Sequence, residues 1–207
     1  MIGYYNYTVL FTLFGTLSGV VGIRFALTGN IFASIICLML CGFFDMFDGT
    51  IARTKKNRSE MEKKYGVQLD SLSDVICFGV LPTMIVLEIT APLGHVNTLC
   101  ILYLITAISR LAYFNVEEEM RTKNESTPRK TYTGLPVTAT AILLPVLYFI
   151  GSFCESLLPI IILIGILTIA AFQISKIKLP HLQMKGLITW LIIGILLLGT
   201  LIFLRFQ

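Results

Sequence analysis

Four aspartates in two pairs interrupt an otherwise apolar chain: Asp45 and Asp48 in DMFDGTIAR (45–53), Asp70 and Asp74 in GVQLDSLSD (66–74). Carboxylates at membrane depth are costly and by default mark function. On a helix, residues three and four apart share a face. Asp45, Asp48 and Ala52 therefore form one stripe, and Gly66, Asp70 and Asp74 form another. Two such helices joined by a short connection can aim four carboxylates at one point. Held together and ionised, the four need cations to neutralise them. An all-oxygen set suits hard divalent ions, Mg²⁺, Mn²⁺ or Ca²⁺, and four acids without His or Cys argue against zinc. Two ions shared by Asp45, Asp48, Asp70 and Asp74 would make the arrangement that clamps attacking and leaving oxygens in phosphoryl transfer.

The neighbouring residues fit that chemistry. Gly49 and Ala52 leave a bare helix face on which a nucleotide or diphosphate can lie, and the forked guanidinium of Arg53 can grip a phosphate. Plainer readings exist for each. An arginine at a helix end can snorkel to lipid phosphates, and Gly49 and Gly66 can simply permit close helix packing. A single buried aspartate can be half of a structural ion pair, a reading that four at this spacing make hard to sustain.

The elements that carry these residues follow from composition. The chain has 207 residues, 56% of them hydrophobic and 14% charged, with a mean hydropathy of +0.83. A soluble domain of this length carries more polar surface. The expectation is an all-α, polytopic helical transmembrane bundle of about six to eight spans. Spans are predicted near 8–27, 31–53, 70–90, 96–116, 134–151, 157–174 and 187–204, with turns at 28–30, 91–95 and 151–156. No internal repeat is visible, so a single membrane domain over 1–207 is expected, with its chemistry at 45–74. The start, MIGYYNYTVLF, lacks the marks of a cleaved signal. Cys37, Cys41, Cys77, Cys100 and Cys154 show no ligand spacing and read as small packing residues.

Charge is segregated among the connections. Segments 54–65, 117–133 and 175–186 hold five, four and three Lys/Arg, whereas the three opposite turns hold none. The positive-inside rule makes the basic side cytoplasmic and the N-terminus internal. The aspartates then open toward the cytoplasm. The basic residues of 54–65 read as contacts to anionic lipid heads.

The motif Asp45-x-x-Asp48-Gly49-x-x-Ala52-Arg53, then Gly66-x-x-x-Asp70-x-x-x-Asp74, resembles that of the CDP-alcohol phosphotransferase family at all of its defining positions. Softer likenesses in SDVICFGVLP, SRLAYFNV, YTGLP and SKIKLP extend it toward the branch whose acceptor is serine, over about residues 12 to 180. The resemblance implies a membrane enzyme that replaces CMP on a CDP-linked lipid with an alcohol. It implies Asp45, Asp48, Asp70 and Asp74 as metal ligands, with Asp74 also the base that takes the incoming hydroxyl's proton. It further implies that Thr12, Asp48, Gly49, Ala52, Arg53 and Gly66 receive the CDP moiety, and that the protein is a homodimer. Three departures stand out. Twelve residues separate Arg53 from Gly66 where the family commonly has eight, Gly15 replaces an Asn, and Tyr113 replaces an Arg.

The expected substrates are CDP-diacylglycerol and L-serine, with two divalent cations, in a prokaryotic plasma membrane and with no nucleic-acid partner. Arg110 could form a bidentate pair with the serine carboxylate, and Asn115 lies one further turn along. Tyr132 and Thr133 are weaker candidates. Glycerol 3-phosphate or an inositol phosphate would be the alternative acceptors, although such phosphates call for more basic residues than Arg110. A divalent-cation transporter is the competing class; it gives the Gly49, Ala52 and Arg53 cluster no purpose.

Overall fold

The computed structural model describes residues 3–4, 6–55, 58–124 and 131–180, together with Gly199. The span expected over 187–204 lies outside the described residues. The elements run α1 (Tyr7–Leu27), α2 (Ile31–Thr54), α3 (Glu60–Asp74), a π-helical segment (Val75–Val80) and α4 (Leu81–Ile89). A 3₁₀ stretch (Ala91–Cys100) and α5 (Ile101–Asn124) follow, then β1 (Thr131–Thr133), a 3₁₀ turn (Val137–Ala139), α6 (Thr140–Ser152), α7 (Leu158–Gln173) and β2 (Lys178–Pro180). Four helical stretches are long and apolar enough to cross a membrane, and two shorter apolar helices accompany them among the described residues. The expected all-α, polytopic membrane architecture is what the chain adopts.

Side-chain caps start the first three helices. Asn6 Oδ1 accepts from the backbone N–H of Thr8 (3.0 Å) and Val9 (3.1 Å), and Asn30 Oδ1 accepts from Ala33 N–H (3.3 Å). Ser59 and Glu62 form a reciprocal capping box at the head of α3. That box corrects the expectation for 54–65. Half of this segment, residues 60–65, is the first turns of a helix, so the helix that carries the third span begins at Glu60. Likewise α5 runs on to Asn124 through residues expected to be loop, with Arg121 clamping Glu118 one turn back.

Small residues bring α1 into the bundle. Gly15, Gly19, Gly22 and Ala26 form its buried stripe, and a Cβ at Gly22 would stand 2.8 Å from Cys37 Cβ. Bare backbones can then exchange polar contacts: Ser34 Oγ donates to Gly22 O (2.8 Å) and Ser18 Oγ to Cys37 O (3.1 Å). The outer faces carry large apolar side chains such as Phe14, Leu17, Ile105 and Ile164. That distribution is what lipid contact demands.

The π-helical segment has a local cause. Pro82 has no N–H, so the carbonyl of Phe78 loses its α-helical donor. Tyr103 Oη, fully buried on α5, donates to that carbonyl instead, while Leu81 N–H reaches back to Ile76 O. The bulge begins at Val75, directly after Asp74, and it locks α5 against the helix that carries two of the aspartates.

The two short strands were not expected. β1 pairs antiparallel with β2, with Tyr132 opposite Leu179. Because α2, α5 and α7 all end where α3 begins, this pairing draws two of the three basic connections together at the end of the bundle where the third lies. The described ends of the three basic connections thus lie at one end of the bundle.

Candidate active site

Asp45 and Asp48 come from the last turns of α2, and Asp70 and Asp74 from the last two turns of α3. Asp45, Asp70 and Asp74 each offer a carboxylate oxygen within 4.8 Å of the others'. All four aspartates, with Thr12, Gly15 and Ser73, line one cavity of about 10 Å³. That is room for roughly one water-sized particle. A space of that scale, ringed by carboxylates, suits small ions. Asp48 shares the cavity without belonging to the three-oxygen cluster.

Each helix is fixed from more than one side. Thr16 Oγ1 and Ser73 Oγ lie 2.7 Å apart and tie α1 to α3 beside Asp74. Asn115 Nδ2 donates to Ser71 Oγ (2.7 Å), tying α5 to α3 beside Asp70. The described ion pairs, Lys55–Glu62 and Arg121–Glu118, involve none of the four aspartates. The cluster is a concentration of negative charge, and carboxylates so close ask for a cation.

The other expected site residues fall in distinct places. Thr12 lines the cavity. Gly49 is exposed, with open space where a Cβ would stand. Gly66 is covered: Arg58 Nη2 lies 2.7 Å from the position of its would-be Cβ. Ala52 and Arg53 lie on the last turn of α2, and their side chains are outside the described ones, as is that of Tyr132. Arg110 does not snorkel; it is 5% exposed, with its guanidinium carbon 5.6 Å from the Phe114 ring centre. Asn115 spends an amide hydrogen on Ser71. Tyr113 is exposed and does not line the aspartate cavity. Gly15 does line it, and a Cβ there would stand 3.3 Å from Phe44 Cβ, so Phe44 crowds a side chain at this position.

Two contacts between helices bracket Arg110. Along α5, Arg110 lies between Tyr103, which holds Phe78 O, and Asn115, which holds Ser71. Asp74 lies between Ser71 and Phe78 on the antiparallel helix. Arg110 and Asp74 thus both lie in the stretch that these two contacts bracket, and Arg110 does not line the aspartate cavity.

Residues 5–204 match the family model described as CDP-alcohol phosphatidyltransferase. The chain belongs to this family. Among its relatives, the CDP-diacylglycerol–serine O-phosphatidyltransferase of Bacillus subtilis (strain 168) is 30% identical over 84% of this chain and 89% of the relative. The archaetidylserine synthase of Methanothermobacter thermautotrophicus is 30% identical over 86% of this chain and 70% of its own length. A Helicobacter pylori CDP-diacylglycerol–serine O-phosphatidyltransferase is 28% identical over 97% of this chain.

CDP-alcohol phosphatidyltransferases generally use divalent metals, and the residues present fit that requirement: three half-buried carboxylate oxygens converge, and a fourth carboxylate adjoins them. Membership also removes the transporter reading. Phe44, Ser73 and Phe78 also line the cavity, as do two thiols that the sequence presents as packing residues. Cys41 and Cys77 both donate to the carbonyl of Gly15, at 3.5 and 3.4 Å. Cys41 precedes Asp45 by four residues and Cys77 follows Asp74 by three, so helical spacing already put each thiol on its aspartate's face.

Proposed function

We propose that the chain transfers the phosphatidyl group of CDP-diacylglycerol to L-serine, giving phosphatidylserine and CMP. The observation that carries this reading is the convergence of Asp45, Asp70 and Asp74 oxygens in a member of the CDP-alcohol phosphatidyltransferase family. Serine as the acceptor is supported by the names of the Bacillus and Helicobacter relatives and by the archaetidylserine synthase.

Asp45, Asp48, Asp70 and Asp74 hold two divalent cations, Mg²⁺ or Mn²⁺ with Ca²⁺ as a further candidate. When bound, these neutralise the diphosphate and the departing CMP. Thr12, Asp48, Gly49, Ala52, Arg53 and Gly66 receive the CDP moiety; the cavity-lining position of Thr12 and the open face of Gly49 support their part in it. Asp74 accepts the serine hydroxyl proton as the new O–P bond forms and the P–O bond to CMP breaks. Arg110 pairs with the serine carboxylate, a role supported by its burial on α5 between the two contacts that also bracket Asp74. Asn115 acts beside it, holding α5 to α3 through Ser71. The protein works as a homodimer of single-domain chains in a prokaryotic plasma membrane. Its site faces the cytoplasm, an orientation supported by the basic connections gathered at that end.

The test is CMP release by purified protein given CDP-diacylglycerol and Mn²⁺, with serine, glycerol 3-phosphate, an inositol phosphate or no acceptor. Stimulation by serine alone is expected. Stimulation by another acceptor, with serine inert, would overturn the substrate while leaving the phosphotransfer chemistry.

A further inference from the structure

The connection between α2 and α3 is longer than the family commonly has, and it is not slack. Glu62 Oε1 accepts from Asn6 Nδ2 (2.7 Å) and from Lys55 Nζ. Its Oε2 accepts from Ser59 N–H (3.4 Å), and Ser59 Oγ accepts from Glu62 N–H (3.2 Å). One carboxylate thus ties together the head of α1, the end of α2 and the start of α3. Residue 58, next to the cap, is held by this arrangement.

From there the Arg58 side chain folds back along the first two turns of α3. Nη2 donates to Glu62 O at 3.4 Å, and Nε is shielded from solvent. The guanidinium rests on the bare face of Gly66: Nη2 is 2.7 Å, and Cζ 3.9 Å, from where a Cβ would stand. Only glycine at 66 admits it in this position. Gly66, Asp70 and Asp74 form one stripe of α3, so the guanidinium lies on the aspartate face, one turn from Asp70 toward the basic end. A forked, permanently charged group so placed is matched to a phosphate.

We propose that Arg58 is a phosphate-binding residue of the CDP subsite, meeting the nucleotide-side phosphate beside Gly66. This deepens the proposed function and rests on it, because it takes the substrate to be a cytidine diphosphate lipid. The longer connection supplies a cation that the defining motif does not contain, and the bare backbone at Gly66 leaves room for it. Lys63 and Lys64, exposed on the same turns of α3, have no such placement.

The test is CMP binding to the metal-loaded protein by calorimetry, with no acceptor present, alongside KM for CDP-diacylglycerol and for serine. Arg58→Ala is expected to weaken CMP binding and raise the KM for the CDP-lipid by about tenfold or more, as for loss of a charge-assisted hydrogen bond. KM for serine is expected to hold. Arg58→Lys should recover part of the loss, and Lys63→Ala should match wild type. Gly66→Ala, which has only the flexible end of Arg58 to displace, should reproduce the Arg58→Ala loss, and the double variant should be no worse than either single one. Unchanged CMP affinity in folded Arg58→Ala, or additive losses in the double variant, would overturn the assignment. A wild-type protein that binds no CMP would instead overturn the proposed function itself.

Discussion

Asp74→Asn is expected to lower kcat by about 10²- to 10⁴-fold, the range for losing a positioned general base. The amide keeps the size of the carboxylate but cannot take the serine proton, and it removes one negative ligand from the cluster. Asp74 is the last residue of α3 before the π-helical segment. Its backbone is held by the Thr16–Ser73 contact on one side and by the Tyr103 bond to Phe78 on the other. The substitution should therefore leave the fold intact, with thermal unfolding in detergent close to wild type. KM for CDP-diacylglycerol should change far less than kcat, since the phosphates are met mainly by other groups. Steady-state CMP release checks both. An Asp74→Asn protein turning over within a few-fold of wild type would mean that the proton goes elsewhere.

Arg110→Leu should raise the KM for serine by about 10- to 100-fold, the cost of a lost bond to a charged group. KM for CDP-diacylglycerol should barely move. Arg110→Lys separates binding from packing. It keeps the charge but not the planar fork, so a bidentate carboxylate contact predicts a serine KM between those of wild type and Arg110→Leu. Arg110 is buried, with its guanidinium near the Phe114 ring, and a purely structural role would show differently. Both variants would then lose thermal stability together, with KM for serine unmoved. Serine-dependent initial rates, read beside melting curves, distinguish the two.

The aspartate cluster was legible because it rests on local rules. Spacings of three and four residues fix a face, and carboxylates in an apolar chain advertise themselves. The capping box at Ser59 and Glu62 was equally local, a Ser-x-x-Glu pattern. The surrounding charges pointed instead to a connection at the membrane surface, so the helical turns of residues 60–65 went unread. The same bias shortened α5, where Glu118 and Arg121 in fact pair along the helix. Other features were not local at all. The β1–β2 pairing joins residues some fifty positions apart, and no three-residue stretch announces its partner. The guanidinium of Arg58 reaches Gly66 only because Glu62 gathers three chain segments at one point. The bracketing of Arg110 depends on two bonds between helices, one of which exists because Pro82 leaves a carbonyl without a donor. Cys41 and Cys77 stood at readable helical positions, yet a cysteine in an apolar helix is ordinarily packing. Nothing short of the cavity gave them another setting.

The central claim is that Asp45, Asp48, Asp70 and Asp74 exist to hold divalent cations where a lipid diphosphate can meet them. Equilibrium Mn²⁺ binding to the purified protein, followed by electron paramagnetic resonance, tests this most directly. About two ions per chain are expected to bind, and Asp45→Asn and Asp70→Asn should each lose that binding while remaining folded. Mn²⁺ binding that survives both substitutions, or is absent from folded wild-type protein even with CDP-diacylglycerol present, would contradict the account.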